Sequence, residues 1–215
     1  MTMTGLLTVI AWLLLASTGL LVVNHRLAWA IALLALQSSF LAGIALIAAL
    51  LSGLGHIYLA VALTLLIKVV LASIILSVVL RSARTKVESG IMGRGFSLSI
   101  CVGLVLVGVS VVQPAQFTNA ITSAHSLSIS VSMVLIGLFL MISRKKALMQ
   151  VVGLLTIENG LFLLALSTTY GLPLLVEVGI FLDVGFSISV LGLFAFRMNR
   201  VFETMDTTTL RNLKG

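Results

Sequence analysis

The chain has 215 residues, of which 60% are hydrophobic and only 9% are charged, and its formal net charge is +7. A soluble domain has about 25% charged residues, so this composition excludes a soluble globular protein. The single cysteine excludes an internal disulfide and a cysteine cluster for zinc or iron–sulfur binding.

In chain order, seven apolar segments are each long enough to cross a bilayer as a helix, which takes about 20 residues. The sequence therefore predicts an all-α integral membrane protein with transmembrane helices at 3–23, 28–51, 57–80, 91–112, 124–142, 147–168 and 172–196. No Lys or Arg precedes the first segment, whereas a cleaved signal peptide begins with a basic region. We therefore expect the first segment to be a retained helix within one polytopic domain, residues 1–215.

The cations predict how the helices are oriented in the membrane. Twelve of the 13 Lys and Arg residues lie in or beside the first, third and fifth connections and in the tail, 197–215. They are Arg26, Arg81, Arg84, Lys86, Arg94, Arg144, Lys145, Lys146, Arg197, Arg200, Arg211 and Lys214. Short loops rich in Lys and Arg stay in the cytoplasm, so the N-terminus is expected outside and the C-terminus in the cytoplasm. The basic charge thus indicates membrane topology and not nucleic-acid binding.

Three ionisable residues lie near the middle of predicted helices. Lys68 is in the third helix, Glu158 in the sixth and Asp183 in the seventh. Each would cost about 2.5–3.5 kcal/mol if it faced lipid. We therefore expect them to face one another or a hydrated interior, since buried charges persist when they are paired. Glu177, nearer the start of the seventh helix, is expected between the midplane and the outside.

Two interpretations of these charges are open. One is a proton relay or charge-coupling site, because ionisable groups within a membrane are typical of ion pathways. The other is a set of ion pairs that fixes helix packing in a large complex. Two neighbouring polar residues are candidates for hydrogen bonds to the carboxylates: Asn159 follows Glu158, and Ser187 lies one turn past Asp183.

No cofactor site is recognisable in the sequence. The three histidines, His25, His56 and His125, fall in connections or at helix ends, whereas a membrane haem needs paired histidines inside the bundle. The glycines of SGIMGRGF lack the strand–turn–helix context of a dinucleotide site. We therefore expect no metal, flavin or haem in this chain.

Four short stretches stand out by their order and spacing: IKVVL around Lys68, ENG at 158–160, LVEVGIFLD at 175–183 and the terminal LRNLKG. On these stretches the chain resembles the hydrogenase-4 component E (HyfE) family over essentially its whole length.

The C-terminal part of the resemblance extends to a second group of proteins. The four N-terminal helices, residues 1–112, precede a three-helix part, 124–196. In this part SRKKALMQVVGLLTIENG and LDVGFSISVLGLFAFRMNR are similar to NuoK of respiratory complex I and to the MrpC antiporter subunit. The first membrane carboxylate of those proteins falls near Leu155, one turn before Glu158 on the same helix face.

The resemblance implies a non-redox membrane subunit of a complex I-related group 4 nickel–iron hydrogenase, of the formate hydrogenlyase type. Its partners would be antiporter-like and hydrogenase-anchoring membrane subunits, and through them the nickel–iron peripheral arm, in the cytoplasmic membrane of a bacterium or archaeon. Lys68, Glu158, Asp183 and Glu177 would then belong to a proton or ion path. The alternatives are a purely structural adaptor and a stand-alone secondary transporter, although the chain shows no repeated halves of the kind that many transporters have.

Overall fold

The computed structural model describes residues 3–52, 58, 61–62, 64–82, 92–112 and 124–168. The elements in this part of the chain are all helices: α1 (Met3–Val23), α2 (Leu27–Ser52), α3 (a π-helical part, Thr64–Leu71, then an α-helical part, Ala72–Ser82), α4 (Arg94–Val112), α5 (Ala124–Ser143) and α6 (Ala147–Thr168). They coincide with the first six predicted segments to within a few residues at the ends that are described. The predicted seventh helix, 172–196, and the tail, 197–215, lie outside the described residues.

Five of these helices, α1, α2, α4, α5 and α6, are long and apolar enough to cross a membrane. Their large apolar side chains point outward as well as inward; on α4, Leu106 is 62% exposed and Phe96 is 60% exposed. A helix that is apolar on all sides suits a lipid environment. Over its described residues the chain is therefore an all-helical, multi-pass membrane protein.

The contacts between helices define two layers. Helices α3, α2, α1 and α4 lie side by side in that order, and α5 and α6 pack together against them. Helix α5 contacts α1 and α4, while α6 contacts α2 and α3. A side chain on the inner face of α6 can therefore reach both α2 and α3.

Small residues let α5 and α6 pack closely. A Cβ added at Gly137 on α5 would lie 2.9 Å from the carbonyl oxygen of Gly153, and one added at Gly153 would lie 3.0 Å from that of Gly137. A Cβ at Gly160 would lie 3.1 Å from the carbonyl oxygen of Ser130. Such close backbone approach is typical of helix packing through small residues in membranes, and it holds α6 firmly in place.

The buried apolar side chains form two clusters at different depths. One contains side chains near the α1–α2 and α5–α6 turns, such as Leu27 and Leu148. The other contains side chains toward the opposite end of the bundle, such as Leu7 and Phe162. Between the clusters, α1, α2, α3 and α6 each carry buried polar side chains. We call this group the polar belt: Thr18, Gln37, Ser38, Lys68, Glu158 and Asn159.

Arg144 holds the α1–α2 turn against the α5–α6 turn. Its side chain is buried and donates hydrogen bonds to the carbonyl oxygens of Val22 and Asn24 at the end of α1, while its Nη1 lies 2.7 Å from Nδ1 of His25. Carbonyl groups at a helix C-terminus have no partner within the helix, and a cation there also interacts favourably with the helix dipole. The two turns, both predicted to be cytoplasmic, therefore lie at the same end of the bundle.

Candidate functional site

The polar belt contains a buried ion pair between α3 and α6. Lys68 Nζ lies 3.8 Å from Glu158 Oε2, and the two side chains are only 4% and 3% exposed. Glu158 stands near the middle of α6, about 16 Å along the helix axis from Ala147. The helical turns of α6 before and after Glu158 are mainly apolar, so α6 holds the carboxylate in the interior of the bundle.

Lys68 is carried by the π-helical part of α3. Turns of π-helix, with hydrogen bonds from i to i+5, are rare and occur frequently at functional sites. The sequence predicts a helix here, but nothing in the residues around Lys68 identifies the π geometry. It is a feature that only the folded bundle reveals.

Asn159 connects the ion pair to α2. Its Oδ1 accepts a hydrogen bond of 3.2 Å from Lys68 Nζ, and its Nδ2 donates a long one, 3.5 Å, to Ser38 Oγ. Asn159 was expected to donate to the neighbouring carboxylate, whereas these two bonds direct it to Lys68 and Ser38. The side chain of residue 159 points away from that of residue 158 because successive positions on a helix are about 100° apart.

Gln37 extends the polar belt from α2 to α1. It is fully buried, and its Nε2 donates a 3.0 Å hydrogen bond to Thr18 Oγ1. The Thr18 hydroxyl in turn donates to the carbonyl oxygen of Leu14 at 2.9 Å. Sequence reasoning missed these residues, although the adjacent Gln37 and Ser38 near the middle of an apolar helix are a signal that could have identified them.

The electrostatics of the pair depend on its burial. A buried ammonium and a buried carboxylate both lose hydration, and their attraction in a low dielectric offsets part of that loss. Lys68 Nζ also lies 5.7 Å from the centre of the Phe162 ring, within the range of a cation–π interaction. The pair is therefore held by its mutual attraction, the cation–π contact and the hydrogen bond from Lys68 to Asn159.

The sequence also predicts site residues on the seventh helix. Asp183, Glu177 and Ser187 fall outside the described residues, so their part in the site stays a prediction. Leu155, near which the resemblance to NuoK and MrpC predicts a carboxylate, is buried in the apolar cluster near the turns. Within the described part of α6, Glu158 is therefore the residue that brings an acidic group into the bundle.

A cavity of about 110 Å³ lies between α1, α4 and α5, apart from the ion pair. It is mainly apolar, and two of its lining residues, Trp12 and His125, are in ring contact with centroids 6.4 Å apart. It brings no further ionisable group to the polar belt, so the candidate site is the belt itself.

Known proteins share sequence similarity with most of this chain. It is 30% identical to hydrogenase-4 component E of Escherichia coli K12 over 149 residues, which is 69% of each protein, and component E of Shigella flexneri matches to the same extent. It is 32% identical over 133 residues to the uncharacterized protein Rv0085 of Mycobacterium tuberculosis, covering 62% of this chain and 60% of that relative. No protein-family model and no solved structure matches significantly. As the resemblance predicted, the chain belongs to the hydrogenase-4 component E family.

Proposed function

We propose that this chain is a non-redox membrane subunit of a complex I-related hydrogenase complex, and that its polar belt couples redox chemistry in neighbouring subunits to proton or ion movement. The buried Lys68–Glu158 pair carries the proposal, because ionisable groups inside a membrane bundle are typical of ion pathways. The name of the relatives, hydrogenase-4 component E, supports the hydrogenase assignment.

The proposed partners are the antiporter-like and hydrogenase-anchoring subunits of a membrane arm, in a complex of the formate hydrogenlyase type. Through them the chain would be linked to the nickel–iron peripheral arm. In this arrangement the chain has no catalytic site of its own, and its role is to hold and move charge within the membrane.

Glu158 is the proposed proton carrier and Lys68 is its counter-charge. A redox event in a neighbouring subunit changes the charge or hydration near the polar belt, and Glu158 then takes up or releases a proton. When Glu158 is neutral, Lys68 keeps its hydrogen bond to Asn159, so the buried ammonium retains a polar partner. Asn159 therefore lets the carboxylate change its charge without isolating the cation.

Asp183 and Glu177 extend the proposal to the predicted seventh helix. Asp183 lies near the middle of that segment and Glu177 nearer its outer end. We propose Asp183 as a second proton site at the depth of Glu158, with Ser187 as its hydrogen-bond donor. In the proposed ion path, Glu177 lies between the membrane midplane and the outer surface.

A structural adaptor is the second candidate function. One observation favours it: the contacts of Lys68 and Asn159 join α2, α3 and α6, and such a network stabilises a bundle whether or not protons move through it. The two candidates differ in what they predict for a variant that keeps the bundle but removes the charges.

The test measures assembly and ion translocation separately in the whole complex. The tagged chain is purified in mild detergent and its copurified subunits are identified by mass spectrometry; translocation is followed in inverted membrane vesicles with pH and Na⁺ indicators. Glu158→Gln preserves side-chain size, so we expect normal assembly and a loss of translocation of at least about tenfold, since a positioned proton carrier contributes that much or more. Ser38→Ala, which removes the acceptor of the Asn159 amide, should cause a smaller loss.

Ser39→Ala is the matched control. Ser39 follows Ser38 but is exposed, and its hydroxyl bonds to the carbonyl oxygen of Ala35 in its own helix, so translocation should be unchanged. An assembled Lys68→Met/Glu158→Leu variant with full translocation would contradict the path and support the adaptor. Recovery of the chain alone, with ion transport in liposomes, would contradict the subunit assignment and support a stand-alone transporter.

A further inference from the structure

Three cations beside Arg144 are brought together by the two turns that it joins. Arg26 immediately precedes α2, and Lys145 and Lys146 immediately precede α6. Arg144 and His25 are in contact. Since His25 precedes Arg26 and Arg144 precedes Lys145, this contact places Arg26 and Lys145 on adjoining turns. Consecutive Cα atoms are about 3.8 Å apart, so the ends of these long side chains can converge on one small area.

Arg144 and the three neighbouring cations have different roles. Arg144 is buried and donates to carbonyl oxygens at the end of α1, so it holds the turns in position. Arg26 and Lys145 are exposed, and Lys146 is partly exposed. Cations carried on two adjoining turns form a basic surface that attracts anions.

Exposed apolar side chains lie on the helices that lead away from these cations. On α5, Ile142 is 76% exposed and Leu138, one turn further from the α5–α6 turn, is 45% exposed. Trp29, in the first turn of α2, is 58% exposed. Tryptophan is enriched at the membrane–water interface, so Trp29 indicates that the cations lie at the level of the lipid headgroups.

We propose that Arg26, Lys145 and Lys146 bind the phosphate headgroup of an anionic phospholipid whose acyl chain lies along Ile142 and Leu138. Basic clusters beside the cytoplasmic ends of membrane helices attract anionic lipids. The exposed apolar face favours a lipid over free phosphate, because burying that face adds affinity only for a ligand with a hydrocarbon chain. The site is independent of the proposed ion path, since none of these residues belongs to the polar belt.

The test titrates the full-length chain, purified in detergent, with fluorescent phosphatidylglycerol, with phosphatidylcholine and with inorganic phosphate. We expect phosphatidylglycerol to bind best. The variant Arg26→Gln/Lys145→Gln/Lys146→Gln should raise its dissociation constant by about tenfold or more without changing the binding of phosphatidylcholine. Ile142→Ser should weaken the binding of phosphatidylglycerol and leave that of inorganic phosphate unchanged.

Matched variants separate a specific site from general charge. Lys145→Arg/Lys146→Arg keeps the cations and should keep binding, whereas Lys145→Gln/Lys146→Gln should lose it. Arg81→Gln/Arg94→Gln removes the same number of exposed cations from α3 and α4 and should have little effect. An equal loss in this control, unchanged binding in the triple variant, or equally tight binding of inorganic phosphate would each overturn the proposal.

Discussion

Lys68 and Glu158 are both buried in the bundle, so each charge depends on polar partners in place of water. Removing one partner of a buried pair leaves an uncompensated charge, whereas replacing both partners by apolar residues of similar volume is often neutral or stabilising. The pair is therefore weak evidence for a purely stabilising role. Its position beside Asn159 and Ser38 is consistent with the proposed role of Glu158 as a proton carrier.

We predict that Lys68→Met lowers the free energy of unfolding by about 3–5 kcal/mol, because Glu158 remains buried without its cation. Lys68→Met/Glu158→Leu should recover most of this loss. Unfolding by SDS in mixed micelles measures both variants. If the double variant is as unstable as the single one, the loss comes from side-chain packing and not from an isolated charge.

The residues of the polar belt differ in how far sequence reasoning could find them. Lys68 and Glu158 were identified because a charge inside an apolar helix is informative without any knowledge of its neighbours. Gln37 and Thr18 were missed because uncharged polar residues often serve only as helix contacts in membranes. Whether such a residue belongs to a buried polar site depends on the direction in which its helix face points, and packing decides that direction.

Helices α5 and α6 are the closest-packed pair in the described bundle because glycines face each other across them. At Gly137 an added Cβ would also meet the side chain of Ile157 at 2.7 Å. To relieve this clash, the backbones of α5 and α6 would have to separate. The close approach of these helices thus fixes where α6 presents Glu158 to α3.

Gly137→Ala is expected to destabilise the bundle by about 1–3 kcal/mol, as overpacking usually does. Gly103 on α4 is the control, since nothing lies within 4 Å of a Cβ built there. Gly103→Ala should be neutral or stabilising by up to about 1 kcal/mol, because alanine is the better helix former. Equal stabilities for the two variants, in the same SDS titration, would contradict close packing at Gly137.

The described part of the bundle has two apolar clusters separated by the polar belt, with both described short turns at one end. Arg144 joins those turns, so the structure requires residues 26 and 145 to lie on one side of the membrane. The distribution of cations predicts that this side is the cytoplasm. His125, at the start of α5, lies at the other end of that helix and is expected outside.

Cysteine labelling in intact cells tests this topology. In a Cys101→Ala background, His125→Cys should react with a membrane-impermeant thiol reagent, whereas Arg26→Cys and Lys145→Cys should react only after permeabilisation. Both of the latter positions are exposed in the bundle, so burial does not account for protection. Labelling of only one of them in intact cells would contradict the contact between the two turns.

The chain's composition and the positions of its cations were enough to predict a multi-pass helical membrane protein, the bounds of its described helices and the depth of Lys68 and Glu158. The reason is that a bilayer acts on each segment separately, through its length and hydropathy. Tertiary structure decided that Lys68 pairs with Glu158, that Asn159 connects the pair to Ser38, and that Arg144 is buried at the end of α1. Those outcomes depend on the rotation of each helix about its axis, and rotation is set by the packing of all its neighbours at once.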